Sequence, residues 1–166
     1  DDHLKAIEKL QTCVLDGGLF AFAMPRGTGK TSLTEVAALW AVLYGHRTYV
    51  VPIGATQELG NALVESIKTE LETTERLVED FPEVCYPIAK LEGINQRTNG
   101  QTFQGERTRM DLSFGIIVFP TIPGSAASGA CIEGKGLTGS LRGMKRTLAG
   151  WLLIIVTLLN EKLLNK

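Results

Sequence analysis

The sequence has little that would support a disulfide-bonded or metal-stabilised protein. It contains three cysteines and two histidines in 166 residues, and no two cysteines form a Cys-x-x-Cys pair. Scattered cysteines in odd number argue against a disulfide framework and against a zinc site. We therefore expect a reducing compartment and a core that forms without cross-links, which a chain of this length can bury.

The sequence also lacks a strong charge of one sign and a long hydrophobic run. Its net charge is −1 and its pI is about 6.2, so no overall basic field indicates nucleic-acid binding, although a local basic patch is compatible with these values. The longest apolar run, residues 151–159, is about half of a membrane span. The beginning, Asp1-Asp2-His3, does not resemble a secretory leader. We expect a protein with no membrane partner.

Short apolar runs alternate with stretches of helical periodicity. The apolar runs at 19–24, 47–53 and 114–119 predict strands, and the helical patterns predict helices at 4–14, 32–44, 57–74 and 75–81. The order strand, loop, helix, strand, helix predicts parallel pairing with helical crossovers. The fold class expected is therefore α/β, with a mostly parallel sheet flanked by helices.

The remaining segments are predicted less regularly. Residues 91–109 predict a hairpin-like structure or a long loop, and 123–130 predict a loop. The apolar run 151–159 fits a buried strand or a short core helix. Prolines predict interruptions: a strand end or a sheet edge at Pro52, and a break in helical structure at Pro82 and Pro87.

The most informative motif follows the first apolar run, and it reads Met24-Pro25-Arg26-Gly27-Thr28-Gly29-Lys30-Thr31. It matches the end of the phosphate-binding pattern G-x-x-x-x-G-K-[ST], in which glycines let backbone N–H groups turn toward phosphate oxygens. The helix that follows directs its positive end at the same charge. Lys30 is then predicted to reach the β- and γ-phosphates of ATP, and the Thr31 hydroxyl to bind Mg²⁺.

Two positions of the motif differ from the simplest expectation. Met24 stands where the first glycine of the pattern should be, but the apolar run before the motif and the predicted helix after it are the context that phosphate binding requires. Arg26 lies inside the cradle and is predicted to contact or sense the γ-phosphate. The alternative interpretation is that Arg26 is an exposed arginine in a loop, without a role in phosphate binding. Thr28 and Ser32 are secondary candidates for phosphate or metal contacts.

Segments that surround this motif resemble the ATPase portion of the phage terminase large subunit, the motor that moves DNA into viral capsids. The resemblance covers most of the chain, with the segments in the same order. That family tolerates a residue other than glycine at the position of Met24. The segments that carry it are Ala23 to Ser32, Leu39 to Arg47, Ile53 to Thr56, Ser66 to Glu72, Asp80 to Ile88, Gly105 to Thr108, Pro120 to Ser125 and Gly139 to Lys145.

The resemblance implies a RecA-like P-loop NTPase fold in residues 1–149, and it leaves open whether the C-terminal side of that fold is incomplete. It implies ATP and Mg²⁺ as cofactors, with Arg26, Lys30 and Thr31 in the family's cradle roles. It also implies double-stranded DNA and the portal or the small terminase subunit as partners, in the cytoplasm of a bacterial host. Arg142 matches a segment of uncertain role that approaches nucleotide or DNA, or closes a turn.

The second acidic motif of a P-loop motor is missing in its usual form. Such motors end an apolar strand with two acids, one for Mg²⁺ and one to activate water. Here the corresponding place holds Asn160-Glu161. Either these residues are a degenerate motif, with Asn160 on the metal side and Glu161 as the base, or residues 150–166 are an unrelated tail, the alternative that the sequence favours. Glu133 is interpreted as an ordinary surface acid.

ATP binding is accordingly expected to be retained, whereas hydrolysis is expected to be weak or lost. A full terminase also has a nuclease domain, which needs clustered carboxylates for its metals, and this sequence has no such cluster. Two other interpretations stay open: a non-catalytic nucleotide-binding remnant, and another P-loop ATPase such as a helicase. The absent acid pair counts against an intact helicase as much as against an intact terminase.

Overall fold

The computed structural model describes residues 2–18, 25 and 27–137, together with the backbone of 151–155. The helices are α1 (Asp2–Asp16), α2 (Lys30–Leu43), α3 (Gln57–Thr73), α4 (Glu75–Asp80) and α5 (Pro82–Ala89), followed by a 3-10 turn at Asn95–Thr98. The strands are β1 (Tyr49–Gly54), β2 (Thr102–Phe103), β3 (Glu106–Arg107), β4 (Ile116–Val118), β5 (Cys131–Glu133), β6 (Lys135–Gly136) and β7 (Trp151–Ile155).

The main sheet is built around β1, which is buried along its whole length. Strand β7 pairs with it in parallel from Tyr49 to Ile53. Strands β5 and β6 also pair with it in parallel, at its beginning and at its end. Because β7 occupies one edge of β1 throughout, β5 and β6 lie along the other. Strand β4 is antiparallel to β5. The mixed α/β class with a small, mostly parallel sheet flanked by helices is therefore confirmed.

Pro52 neither ends β1 nor lies at an edge of the sheet. The strand continues to Gly54, and Pro52 lies opposite Ile154 of β7. On the other edge, β5 is in register with Tyr49 and Val50 and β6 with Ile53 and Gly54, so the ladder is interrupted beside Pro52. A central strand can hold a proline, which has no N–H to donate, where the ladder is interrupted.

The helical structure is interrupted at Phe81, just before Pro82, as predicted, whereas Pro87 does not break it. Pro82 begins α5, in a position where the backbone N–H has no partner within the helix. Pro87 lies inside α5, which ends two residues later at Ala89. The predicted helices at 4–14, 32–44, 57–74 and 75–81 are present with small shifts of their ends. Gly45, just after α2, has a φ of 73° and donates its N–H to the Val42 carbonyl.

Helix α3 lies closer to the strands than side chains would allow. An added Cβ at Gly60 would come closer than 3.0 Å to backbone atoms of Lys135, and one at Gly134 equally close to backbone atoms of Gly60. Gly54 and Gly136 face the same backbone at the beginning of α3. Below them, Val64, Ile67 and Leu71 enter the core. Leu59, on the first turn of the helix, is exposed.

The segment after α5 confirms the hairpin-like prediction. Strands β2 and β3 are antiparallel, and the turn between them uses Gln104 and Gly105 with φ values of 50° and 85°. Positive φ at both central positions is typical of the two-residue hairpin turn. Among the described residues, none of the helices has the length and apolar character needed to cross a membrane.

Candidate phosphate-binding loop

The loop before α2 contains two glycines in left-handed backbone conformations. The φ values are 83° at Gly27 and 76° at Gly29, a region that residues with a side chain rarely adopt. A Cβ added to either glycine would meet no atom of the described residues within 4 Å. The glycines are therefore required by the backbone path rather than by close packing against the described part of the chain.

Helix α2 begins at Lys30 with Gly29 as its N-cap, and none of the side chains that the structure describes makes a capping hydrogen bond there. The first backbone hydrogen bond of the helix runs from Leu33 N to Gly29 O, at 2.9 Å. Amides in the first turn of a helix have no partner within the helix, and the helix dipole adds positive potential to them. This end of α2 is suited to an anion.

Two side chains of the loop bind the same carbonyl oxygen. Lys30 Nζ donates to Pro25 O at 2.6 Å, and Thr28 Oγ1 donates to it at 2.8 Å. The loop is thus closed by its own lysine. A phosphate oxygen can replace the carbonyl as acceptor, because the lysine ammonium group binds a negatively charged oxygen more strongly than a neutral carbonyl.

The other predicted cradle residues are placed as follows. Thr31 is half-buried and Ser32 is exposed, and both lie in the first turn of α2. Their hydroxyls therefore sit on the helix that the motif predicts. Met24 and Arg26 lie outside the described residues, as do Arg142, Asn160 and Glu161. Within the described part of the chain, no three His, Cys, Asp or Glu side chains group to hold a metal ion.

A contact that sequence reasoning missed connects α1 to the loop. His3 Nε2 donates to Thr28 O at 3.0 Å. At the other end of α1, Arg47 Nε donates to Val14 O at 2.8 Å. Since Arg47 follows the C-terminal end of α2, the two helices run in the same direction, and α1 is held at both ends. No local pattern in the sequence indicates a contact over 25 positions.

Glu133 is not an ordinary surface acid, contrary to expectation. Its side chain is 26% exposed and forms an ion pair with Lys135. It also accepts a hydrogen bond from the hydroxyl of Tyr49, which is 4% exposed. Alternation along β5 and β6 places Glu133 and Lys135 on one face of the sheet. The carboxylate is therefore part of the packing of that face.

Comparison with known proteins adds no relative: no family model, no curated protein and no solved structure matches the chain.

Proposed function

We propose that the chain is the ATP-binding portion of a phage DNA-packaging terminase motor, with weak or no hydrolysis. The observation that carries the proposal is the path of the loop, in which left-handed glycines at 27 and 29 lead into a helix that begins, uncapped, at Lys30. That path is the one a phosphate cradle requires. The order of the surrounding segments is the reason for choosing this family among P-loop proteins.

In this proposal the loop binds ATP with Mg²⁺. Lys30 leaves Pro25 O and contacts the β- and γ-phosphates, while the amides of the first turn of α2 contact the phosphate oxygens. The Thr31 hydroxyl is the metal ligand, with Ser32 beside it. Arg26 completes the cradle at the γ-phosphate. Double-stranded DNA and the portal or small terminase subunit remain partners by resemblance alone.

Hydrolysis depends on residues 160 and 161. Strand β7 lies parallel to β1 in the main sheet, and Asn160 and Glu161 follow it in the chain. Glu161 stays the candidate base and Asn160 the candidate metal-side residue on the sequence alone, because both lie outside the described residues. An amide in place of a carboxylate gives Mg²⁺ a neutral ligand, so slow turnover is expected. If the segment is an unrelated tail, the chain binds nucleotide without turnover.

The test is ATP affinity and turnover on the purified chain, with and without Mg²⁺ and DNA. Lys30→Ala should weaken ATP binding by at least about a hundredfold, since it removes a charge-assisted contact to two phosphates. The matched control is Lys9→Ala, because Lys9 is an exposed lysine on α1. ATP binding that survives Lys30→Ala would exclude the cradle.

The same assay separates the two candidate functions. If wild-type turnover is measurable and Glu161→Gln abolishes it without changing ATP affinity, the chain is a weak ATPase. If ATP binds and no phosphate is released at any DNA concentration, the chain is a nucleotide-binding remnant.

A further inference from the structure

A polar cleft of about 450 Å³ lies between the 3-10 turn, the β2–β3 hairpin and the segment that leads to β4. The side chains that can bind a ligand there are Asn95, Gln96, Asn99, Arg107 and Arg109. Of the phosphate-loop residues that the structure describes, none lines it. Its volume is in the range of small-molecule sites.

The two arginines of the cleft have no partner among the described residues. Neither Arg107 nor Arg109 forms an ion pair or a side-chain hydrogen bond there, and both are exposed. The nearby Arg97 differs, because its Nη1 is 2.6 Å from Glu92 Oε2. The one acid of the cleft, Asp111, accepts hydrogen bonds from the N–H and the hydroxyl of Ser113. Two guanidinium groups are therefore available to an anion.

The backbone holds these arginines in place. Thr108, between them, is 1% exposed and hydrogen-bonds through its N–H and its hydroxyl to Gln101. Gln101 in turn donates to Pro87 O at 3.0 Å. Arg109 has a φ of 52°, outside any hairpin turn. Residues other than glycine adopt this conformation rarely, and often at binding sites.

We propose that this cleft binds a phosphate group of a nucleotide-sized ligand, with Arg107 and Arg109 as its two cationic contacts. Planar guanidinium groups bind phosphate through paired N–H donors. The side-chain amides of Asn95, Gln96 and Asn99 provide donors and acceptors for the rest of the ligand. The phosphate belongs either to a free nucleotide or to a nucleotide unit in a nucleic-acid strand. This site is separate from the proposed ATP cradle.

The test uses the full chain carrying Lys30→Ala, so that the phosphate loop does not contribute. Arginine Nε–Hε signals are followed by NMR during titration with AMP, with a six-residue oligothymidylate and with succinate, at low salt. AMP or the oligonucleotide should shift the signals of Arg107 and Arg109. Each of Arg107→Gln and Arg109→Gln should weaken binding about tenfold, the loss of one charge-assisted hydrogen bond. Arg97→Gln is the matched control and should leave the affinity unchanged.

If the oligonucleotide binds more tightly than AMP, a nucleic-acid strand is the source of the phosphate. If the two bind equally tightly, a free nucleotide is the source. Either result supports the site. The proposal is overturned if neither ligand shifts the two arginines, if succinate binds as tightly as AMP, or if Arg97→Gln loses as much affinity as the cleft variants. Amide spectra of each variant establish that it is folded.

Discussion

Helices α2 and α3 begin in opposite ways. The N-terminal end of α3 is capped by the Thr56 side chain and lies against strand backbone at Gly60, so that no atom fits between them. The N-terminal end of α2 has no side-chain cap among the described residues, and the glycines before it, Gly27 and Gly29, have no described atom beside their Cα positions. Glycine thus allows close packing at α3 and a left-handed backbone path before α2. The beginning of α2 is therefore the end that leaves helix amides for a ligand.

The largest expected effect comes from Gly60→Ala. The added Cβ would overlap backbone atoms of Lys135, which cannot move aside as a flexible side chain can. We expect a loss of about 3 kcal/mol in the free energy of unfolding, at the high end for overpacking. Urea denaturation of the variant and the wild type measures it.

Gly27→Ala is the matched change at the other helix. Its Cβ meets no described atom, so the expected cost is that of the positive φ, about 1–2 kcal/mol. ATP affinity should fall with Gly27→Ala, because the loop path changes. A larger loss of stability from Gly27→Ala than from Gly60→Ala would contradict the assignment of close packing to Gly60 and of the left-handed backbone path alone to Gly27.

The next effect concerns the cap of α3. Thr56 Oγ1 accepts from Leu59 N at 3.3 Å, a long hydrogen bond. Thr56→Ala should therefore lower the free energy of unfolding by about 0.5–1 kcal/mol, the low end for an N-cap. Its counterpart is Thr28→Ala, since the Thr28 hydroxyl donates to Pro25 O and caps no helix. If thermal denaturation shows equal losses for both threonines, the contrast between the two helix ends fails.

The same contrast explains what the sequence could predict. The phosphate loop follows a local pattern, so the sequence predicts the helix after it, and α2 begins at Lys30, two residues before the predicted start. Strand β5 is indicated only by the short apolar run at 130–132, and β6 is missed, because both are short, separated by Gly134, and defined by parallel pairing with the distant β1. Helix α5 was missed because Pro82 and Pro87 outweighed its apolar spacing. His3 reaches Thr28 only through the packing of α1 along α2.

The smallest effect lies where the two helices meet. Burial raises the pKa of Glu35 on α2 above 4.5, the charge of Glu70 on α3 raises it further, and a hydrogen bond with Ser66 partly offsets both. The folded state therefore binds more protons than the unfolded state between pH 4.5 and the raised pKa, and stability falls as pH rises through that window.

Glu35→Gln should remove this fall, and the variant should gain stability over the wild type at neutral pH but not below pH 4.5. Urea midpoints measured across this pH range test it, with the exposed Glu72→Gln as the control. A difference between Glu35→Gln and wild type that is independent of pH would mean that the carboxyl carries no burial cost. The contact between α3 and α2 would then have no electrostatic effect on the Glu35 carboxyl of α2.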